Sequence, residues 1–148
     1  MKKAVWIPLA CIGGIIATII TAFYAWLCVW GYNIYLTRNY FPNKQPGTTW
    51  VTEDGKVAFC ANEYDGYGTI QTEDGPVEIA VTLHYTVPVH FYYKEDYQQL
   101  DEGKQLVGPR FAWGWGDVKN DHKFVVEITS ADEYFEAGEK LVFYKVEE

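Results

Sequence analysis

Hydrophobic residues follow two different patterns along the chain, and the change falls near residue 40. Residues 4–30 carry no charge, whereas every acidic residue lies at or beyond Glu53. An uninterrupted apolar run is typical of a membrane helix, and alternation of apolar and polar residues is typical of β-strands. We therefore expect a membrane anchor with its juxtamembrane segment over residues 1–40, a linker over 41–48, and an all-β domain over 49–148.

The N-terminal apolar run is long enough to cross a bilayer. As a helix, its residues would span about 40 Å, compared with about 30 Å of hydrocarbon. A secretion signal has a shorter apolar core and ends in a cleavage site, which the sequence TAFYAW does not offer. The run therefore predicts an uncleaved, single-pass anchor. Because Lys2 and Lys3 precede it closely, we expect a cytoplasmic N-terminus and an extracytoplasmic β domain.

Small residues recur every four positions in this run, at Ala10, Gly14, Thr18 and Ala22. Such spacing lets two helices approach closely in a membrane, which would permit self-association. Small residues are also common in membrane helices that do not associate. We favour the second interpretation and keep self-association as the alternative.

Beyond the proline of NKQPG, apolar residues alternate with polar ones. The alternating segments include KVAFCA, PVEIAVTLHY, VPVHFYY, KFVVEI and KLVFYKV. They predict seven or eight antiparallel strands in a meander. An open sheet of that size would leave its edges unpaired. We therefore expect a small barrel, or a sandwich close to one, with an interior largely filled by side chains.

The tetrapeptide TEDG occurs twice, at residues 52–55 and 72–75, each time between strand-like segments. Asp-Gly in this context predicts a hairpin with a type I′ turn, in which both central residues have positive φ. A calcium loop is the alternative, but it needs oxygen ligands spread over a longer segment. We interpret both copies as turns.

Several segments share scattered aromatic and turn positions with a group of known proteins. In order they are WVTEDGKVAF, GYGTI, KFVVEI and LVFYKV, within residues 50–146. This order resembles small uncharacterised membrane-anchored all-β proteins of Clostridia-like Firmicutes, which pair an N-terminal membrane or lipid anchor with a β domain. The resemblance implies a bacterial cell-surface protein and carries no catalytic motif. Here the anchor would be a helix instead of a lipidated cysteine.

Charge and residue types argue against several functions. A net charge of −8 with only 12 basic residues does not suit nucleic acid binding. Ser130, the sole serine, and Cys60, the sole cysteine beyond the anchor, lie in no nucleophile motif. The histidines, His84, His90 and His122, lack a metal-ligand spacing. We therefore predict no catalytic residue, no metal and no cofactor.

The segment RFAWGWGD is the strongest candidate for a binding site. Phe111, Trp113 and Trp115 alternate with small residues, so an extended strand would place the three aromatic rings on one face. Such rings could form a platform for a sugar or an apolar ligand, or they could fill the barrel core. We favour the core interpretation, with Trp113 buried and Trp115 the more exposed of the two tryptophans.

These observations predict a membrane-anchored binding or structural module of the cell envelope that docks a protein or a polymer and is not an enzyme. The alternative is a small-ligand or glycan-binding barrel that uses the aromatic platform at Trp113 and Trp115.

Overall fold

The structure is a computed structural model that describes residues 3–84, 88–101, 112–130 and 134–146. Its side chains are described for residues 11–84, 88–98, 114–130 and 134–146. The chain divides into two compact units, Met1–Tyr35 and Leu36–Glu148. In chain order, the elements are α1 Lys3–Tyr40, a 3₁₀ helix Pro42–Lys44, β1 Thr49–Thr52, β2 Val57–Ala61, β3 Asp65–Thr72, β4 Gly75–Thr82, β5 Val89–Tyr93, α2 Lys94–Asp101, β6 Ala112–Asn120, β7 Lys123–Ser130 and β8 Lys140–Lys145.

The first unit consists of helix α1 up to Tyr35. Within α1, the segment Cys11–Tyr40 contains an 18-residue stretch with a mean hydropathy of 2.0, and it is apolar and long enough to cross a membrane. The hydroxyls of Thr18 and Thr21 donate hydrogen bonds to the carbonyls of Gly14 and Ala17, at 2.9 Å each. These bonds satisfy the polar groups that a lipid environment would leave without partners. The predicted N-terminal apolar helix is confirmed.

The second unit is a closed antiparallel barrel. Each of the described strands pairs with its neighbours in chain order, and β1 closes the sheet by pairing with β8. In that closing pair, Trp50 lies opposite Lys145 and Thr52 opposite Phe143. The prediction of an all-β meander barrel after one helix is confirmed, and closure leaves none of the described strands with an open edge.

Alternate strand residues fill the barrel interior. The ring centroids of Phe59 and Phe143 are 5.2 Å apart, and those of Phe124 and Phe143 are 5.7 Å apart. Trp50 is fully buried, and its indole Nε1 donates a hydrogen bond to Thr48 Oγ1 at 2.8 Å. Because these rings contact one another across the barrel, the interior is a packed core.

The core also includes residues that precede β1. Leu36, at the end of α1, and Phe41 are buried. The ring centroids of Phe41 and Phe124 are 5.3 Å apart. Gln45 Nε2 donates hydrogen bonds to the carbonyls of Tyr40 and Asp121, at 3.0 and 3.1 Å. The sequence predicted a linker over 41–48, but an aromatic residue there supplies volume that the barrel needs. The barrel unit therefore begins at Leu36.

Both Asp-Gly pairs lie at hairpin turns, as predicted, but the turn type is different. The first turn joins β1 to β2, and the Gly55 amide donates to the Thr52 carbonyl at 2.8 Å. In the second, Thr72 pairs directly with Gly75. Gly55 and Gly75 have φ of +73° and +118°, whereas no described non-glycine residue has positive φ. The type I′ prediction is therefore wrong, because in each turn the glycine alone takes positive φ and the aspartate does not.

Helix α2 was not expected from the sequence. It begins directly after β5, and Glu95 and Asp96 lie in its first turn, where negative charge is favoured by the helix dipole. Alternation cannot reveal such a segment, since its residues are mostly polar. The carboxylates at its start were the available signal.

Candidate binding surface

A groove of about 760 Å³ crosses the outer face of strands β6, β7 and β8. Its lining consists of Trp115, Asp117, Lys119, Asn120, Lys123, Val125, Glu127, Lys140 and Val142. Phe124, Val126 and Ile128 are buried in the core, so the residues that alternate with them on β7 point outward. We call this set of residues the β6–β8 groove.

Strand register arranges the groove in rows. Trp115 lies opposite Glu127, and Glu127 opposite Lys140, which forms a row at one end. The next row on β7 and β8 is apolar, because Val125 lies opposite Val142. Lys123 lies opposite Tyr144 at the other end. The groove therefore has an indole at one end, a valine floor and a lysine at the far end.

Trp115 is 56% exposed, so the core interpretation of this residue is wrong. The interior side of β6 carries Gly114, which is buried, and Gly116. A Cβ atom at Gly116 would lie 2.6 Å from the Phe124 ring and 3.1 Å from the Phe41 ring. Those two rings occupy the space that a side chain would need. Glycines therefore face the core, and the indole of Trp115 faces outward. The predicted difference in exposure between Trp113 and Trp115 lies outside the described side chains.

The groove carries three lysines and two carboxylates, an excess of one positive charge in a chain of net charge −8. Lys119 forms an ion pair with Asp117, and Lys140 Nζ lies 3.8 Å from Glu127 Oε2. Lys123 Nζ lies 5.2 Å from the centroid of the Tyr144 ring. Among the described residues, Lys123 is the groove lysine without a carboxylate partner within 4.0 Å. Its charge is the one most available to a ligand.

A smaller groove of about 350 Å³ adjoins the first and shares Lys140 and Val142 with it. Its far wall is the β1–β2 turn, where Asp54 Oδ1 accepts hydrogen bonds from Thr52 Oγ1 and the Lys56 amide, at 2.6 and 2.9 Å. These donors, Thr52 first, hold the pKa of Asp54 below its ordinary value. The carboxylate is therefore ionised at neutral pH and repels an anion at this end.

The outer face of β3, β4 and β5 is covered by α2. Asp65 Oδ2 accepts hydrogen bonds from the hydroxyls of Tyr67 and Tyr97, at 3.1 and 3.2 Å. The Tyr97 ring also lies 5.8 Å from that of Tyr67 and 5.6 Å from that of Tyr92. Tyr97 therefore ties α2 to the barrel through both a carboxylate and two aromatic rings.

Other chemically capable residues lie apart from the groove. Among residues with described side chains, no group of three or more histidine, cysteine, aspartate and glutamate residues could hold a metal ion. His90 Nδ1 lies 3.3 Å from the Tyr92 hydroxyl on β5. His122, in the β6–β7 turn, contacts Asp121 at 2.9 Å, and that contact lowers the pKa of Asp121. Cys60 is exposed on β2.

The structure places the three aromatic candidates unequally. Trp115 lies in the groove, whereas Phe111 and the side chain of Trp113 lie outside the described residues. Sequence reasoning missed the charged and valine residues of β7 and β8. The signal for them was present, since a core of Phe124, Val126 and Ile128 implies that Lys123, Val125 and Glu127 point outward.

Comparison of the chain with protein-family models, with curated proteins and with solved structures gives no match.

Proposed function

We propose that the chain is a membrane-anchored binding module of the bacterial cell envelope. Helix α1 holds it in the membrane with the N-terminus in the cytoplasm, and the barrel is extracytoplasmic. The barrel docks an envelope protein or a polymer through the β6–β8 groove and does not act as an enzyme. The resemblance to membrane-anchored proteins of Clostridia-like Firmicutes supplies the bacterial setting.

The observation that carries this function is the exposed indole of Trp115 beside an apolar floor, on a barrel whose interior is packed. Covering a large exposed aromatic side chain with a partner is favourable, because apolar surface is removed from water. Since aromatic rings fill the core, a small ligand inside the barrel would have to displace them. The outer face is therefore the better place for binding.

A non-catalytic role is supported by the separation of reactive groups. Cys60 on β2, His90 on β5 and His122 in the β6–β7 turn lie on different elements. None of them lines the β6–β8 groove. A groove that no described cysteine or histidine lines suits docking better than Cys-His nucleophilic chemistry.

The orientation is tested by labelling Cys60, the only cysteine of the chain outside the apolar helix. A membrane-impermeant maleimide added to intact cells should label Cys60 if the barrel is extracytoplasmic, because this thiol is exposed. A Cys60→Ser variant provides the control, since it should remain unlabelled. Labelling that appears only after the cells are permeabilised would place the barrel in the cytoplasm and contradict the proposal.

The docking role is tested by site-specific photo-crosslinking in intact cells. A photoreactive residue in place of Val125, on the groove floor, should form an adduct with an envelope component. The adduct should disappear when Trp115→Ala is added. The same photoreactive residue at Tyr64, which is 67% exposed on another part of the barrel, is the matched control. Absence of an adduct at 125, or equal adducts at 125 and 64, would contradict docking through this groove.

A further inference from the structure

We propose that the β6–β8 groove binds an acidic polysaccharide, with one sugar ring stacked on Trp115 and a carboxylate of another sugar of the same chain paired with Lys123. This inference rests on the proposed function, because it identifies the occupant of the same groove. Three features of the groove carry it: its apolar surface, its length and its charge.

The apolar surface suits a sugar ring. Trp115 presents more than half of its surface to water, and Val125 and Val142 form a half-buried floor in the next row. A sugar ring has an apolar face of C–H groups and a polar edge of hydroxyls. The face can stack on an indole while the edge reaches the charged rim, and pockets of about 300–1,000 Å³ are of the size that holds an organic ligand of several rings.

The length of the groove indicates a chain of sugars. Trp115 lies opposite Glu127, and Lys123 is four residues from Glu127 on β7. At about 3.3 Å per residue, the two ends of the groove are about 13 Å apart along the strand. That distance exceeds one sugar ring, so a monosaccharide cannot reach both residues. Addition of a peptide strand is disfavoured, because the closed barrel offers no free edge among its described strands.

The charge of the groove indicates an anion. An acidic protein repels polyanions in general, so a local excess of positive charge is needed to hold one. The described residues provide such an excess here, and Lys123 is the groove lysine that has no carboxylate partner among them. The Lys119–Asp117 pair is half-exposed; an exposed pair of this kind is weak and can exchange its partner for a ligand carboxylate.

The inference is tested by binding of defined polymers to the full chain in nanodiscs of phosphatidylcholine, with empty nanodiscs as the blank. The probes are polygalacturonate, alginate and hyaluronate, which carry sugar carboxylates in three arrangements. At least one should bind as an oligomer, whereas its monosaccharide should not. Methyl esterification, which removes the charge and keeps the sugar, should weaken binding about fivefold or more. Polyglutamate, a polyanion without sugar, should bind no better than the methyl ester.

Variants separate the two contacts. Trp115→Ala should weaken binding about tenfold, from loss of stacking. Lys123→Gln should weaken it about fivefold and reduce its salt dependence. The matched controls are Tyr64→Ala, which removes another exposed ring, and Lys94→Gln, which removes an exposed lysine that pairs with Glu78 elsewhere on the barrel. Both controls should remain within about twofold of the parent, in line with substitutions that touch no ligand.

Several outcomes would overturn the inference. Binding of none of the three polymers excludes an acidic polysaccharide of uronic acids, and equal binding of the methyl ester indicates a neutral glycan. Equal binding of polyglutamate, insensitive to Trp115→Ala, indicates charge alone. Crosslinking at Val125 uses no chosen ligand, so an adduct there without glycan binding removes this inference and leaves docking in place. Failure of both experiments removes both proposals.

Discussion

The barrel has two outer faces, on strands β3–β5 and on strands β6–β8, that both carry aromatic side chains but differ in how far these side chains are exposed. On the β3–β5 face, Tyr97 of α2 covers the sheet and its hydroxyl donates to Asp65. On the β6–β8 face, the Trp115 side chain is exposed to solvent beside two valines. Helix α2 covers the aromatic surface of one face, and no helix among the described residues covers the other. An exposed aromatic ring that adjoins other apolar side chains forms a contiguous patch, and such patches mark interaction sites more often than isolated exposed residues do.

The largest effect is expected from a side chain added on the inner side of either face. Gly68 underlies the covered face and Gly114 the open one, and a Cβ atom at either position would meet the backbone of the neighbouring strand. Gly68→Ala and Gly114→Ala should each lower the free energy of unfolding by about 3 kcal/mol, because backbone cannot give way as a side chain can. Urea unfolding of the full chain in detergent micelles measures it.

The control is Gly13→Ala in α1, where nothing lies within 4 Å of the new Cβ, so barrel stability should not change. If Gly114→Ala is as stable as the parent, β6 does not turn its glycines to the core. The outward direction of Trp115 would then be lost as well, and with it the contrast between the faces.

Removal of the Tyr97 side chain, which covers the β3–β5 face, should have the second-largest effect on barrel stability. Tyr97→Ala removes two ring contacts and a hydrogen bond, and it should cost about 1–3 kcal/mol of barrel stability. Tyr97→Phe keeps the rings and removes the hydroxyl, which should cost about 1 kcal/mol. Thermal unfolding monitored by near-UV circular dichroism measures both. Equal losses for the two variants would show that the hydroxyl alone holds α2 to the barrel.

A smaller, pH-dependent effect is expected at the turn that borders the open face. The pKa of Asp54 is lowered mainly by the Thr52 hydroxyl and by the Lys56 amide. A lowered folded-state pKa stabilises the barrel above the unfolded value near 3.8, and that stability is lost as pH falls through the folded pKa. Because Asp54 is exposed, Asp54→Asn should cost less than about 1 kcal/mol at pH 7.

The difference in stability between parent and Asp54→Asn should shrink as pH falls below about 4. Urea unfolding at pH 7 and at pH 3 measures it. A difference that stays constant over this range would mean that the carboxylate charge contributes nothing to the turn.

The smallest effect on stability is expected at Trp115. Because the indole is exposed and no described neighbour depends on it for packing, Trp115→Ala should change the free energy of unfolding by about 0.5 kcal/mol or less. The same measurement as for Tyr97→Ala gives a direct comparison between the two faces. A loss as large as that of Tyr97→Ala would make Trp115 a structural residue and would remove the main support for a binding groove.

The sequence predicts the parts of this fold whose signal lies in neighbouring residues. Alternation in KFVVEI placed Phe124, Val126 and Ile128 on one face, and all three are buried. The apolar run predicted α1, and the Asp-Gly pairs predicted hairpins. In each case neighbouring residues carry the whole signal, so no knowledge of distant contacts is needed.

The direction of RFAWGWGD could not be read in the same way. Alternation shows that Trp115 and Gly116 face opposite sides, but it does not show which side is the interior. That depends on volume supplied elsewhere: the Phe41 and Phe124 rings already occupy the space beside Gly116, and Phe41 lies in a segment with the composition of a linker. The turn type was missed for a related reason, since the same Asp-Gly pair occurs in hairpins whose loops differ in length and in the position of the pair. The first loop here spans residues 53–56, and in the second turn Gly75 already pairs with Thr72.

The burial of Phe41 has a consequence for proteolytic separation of the barrel from the apolar helix. Many anchored proteins are shed by a protease that cuts an extended stalk between membrane and domain. Here the segment after α1 folds into the domain, and Phe41, Pro42 and Asn43 are buried. A cut between Phe41 and Thr49 would therefore remove an aromatic side chain from the core and leave a cavity where it packed. The fragment set free would be a weakened barrel, so the barrel needs the start of this segment for its full stability.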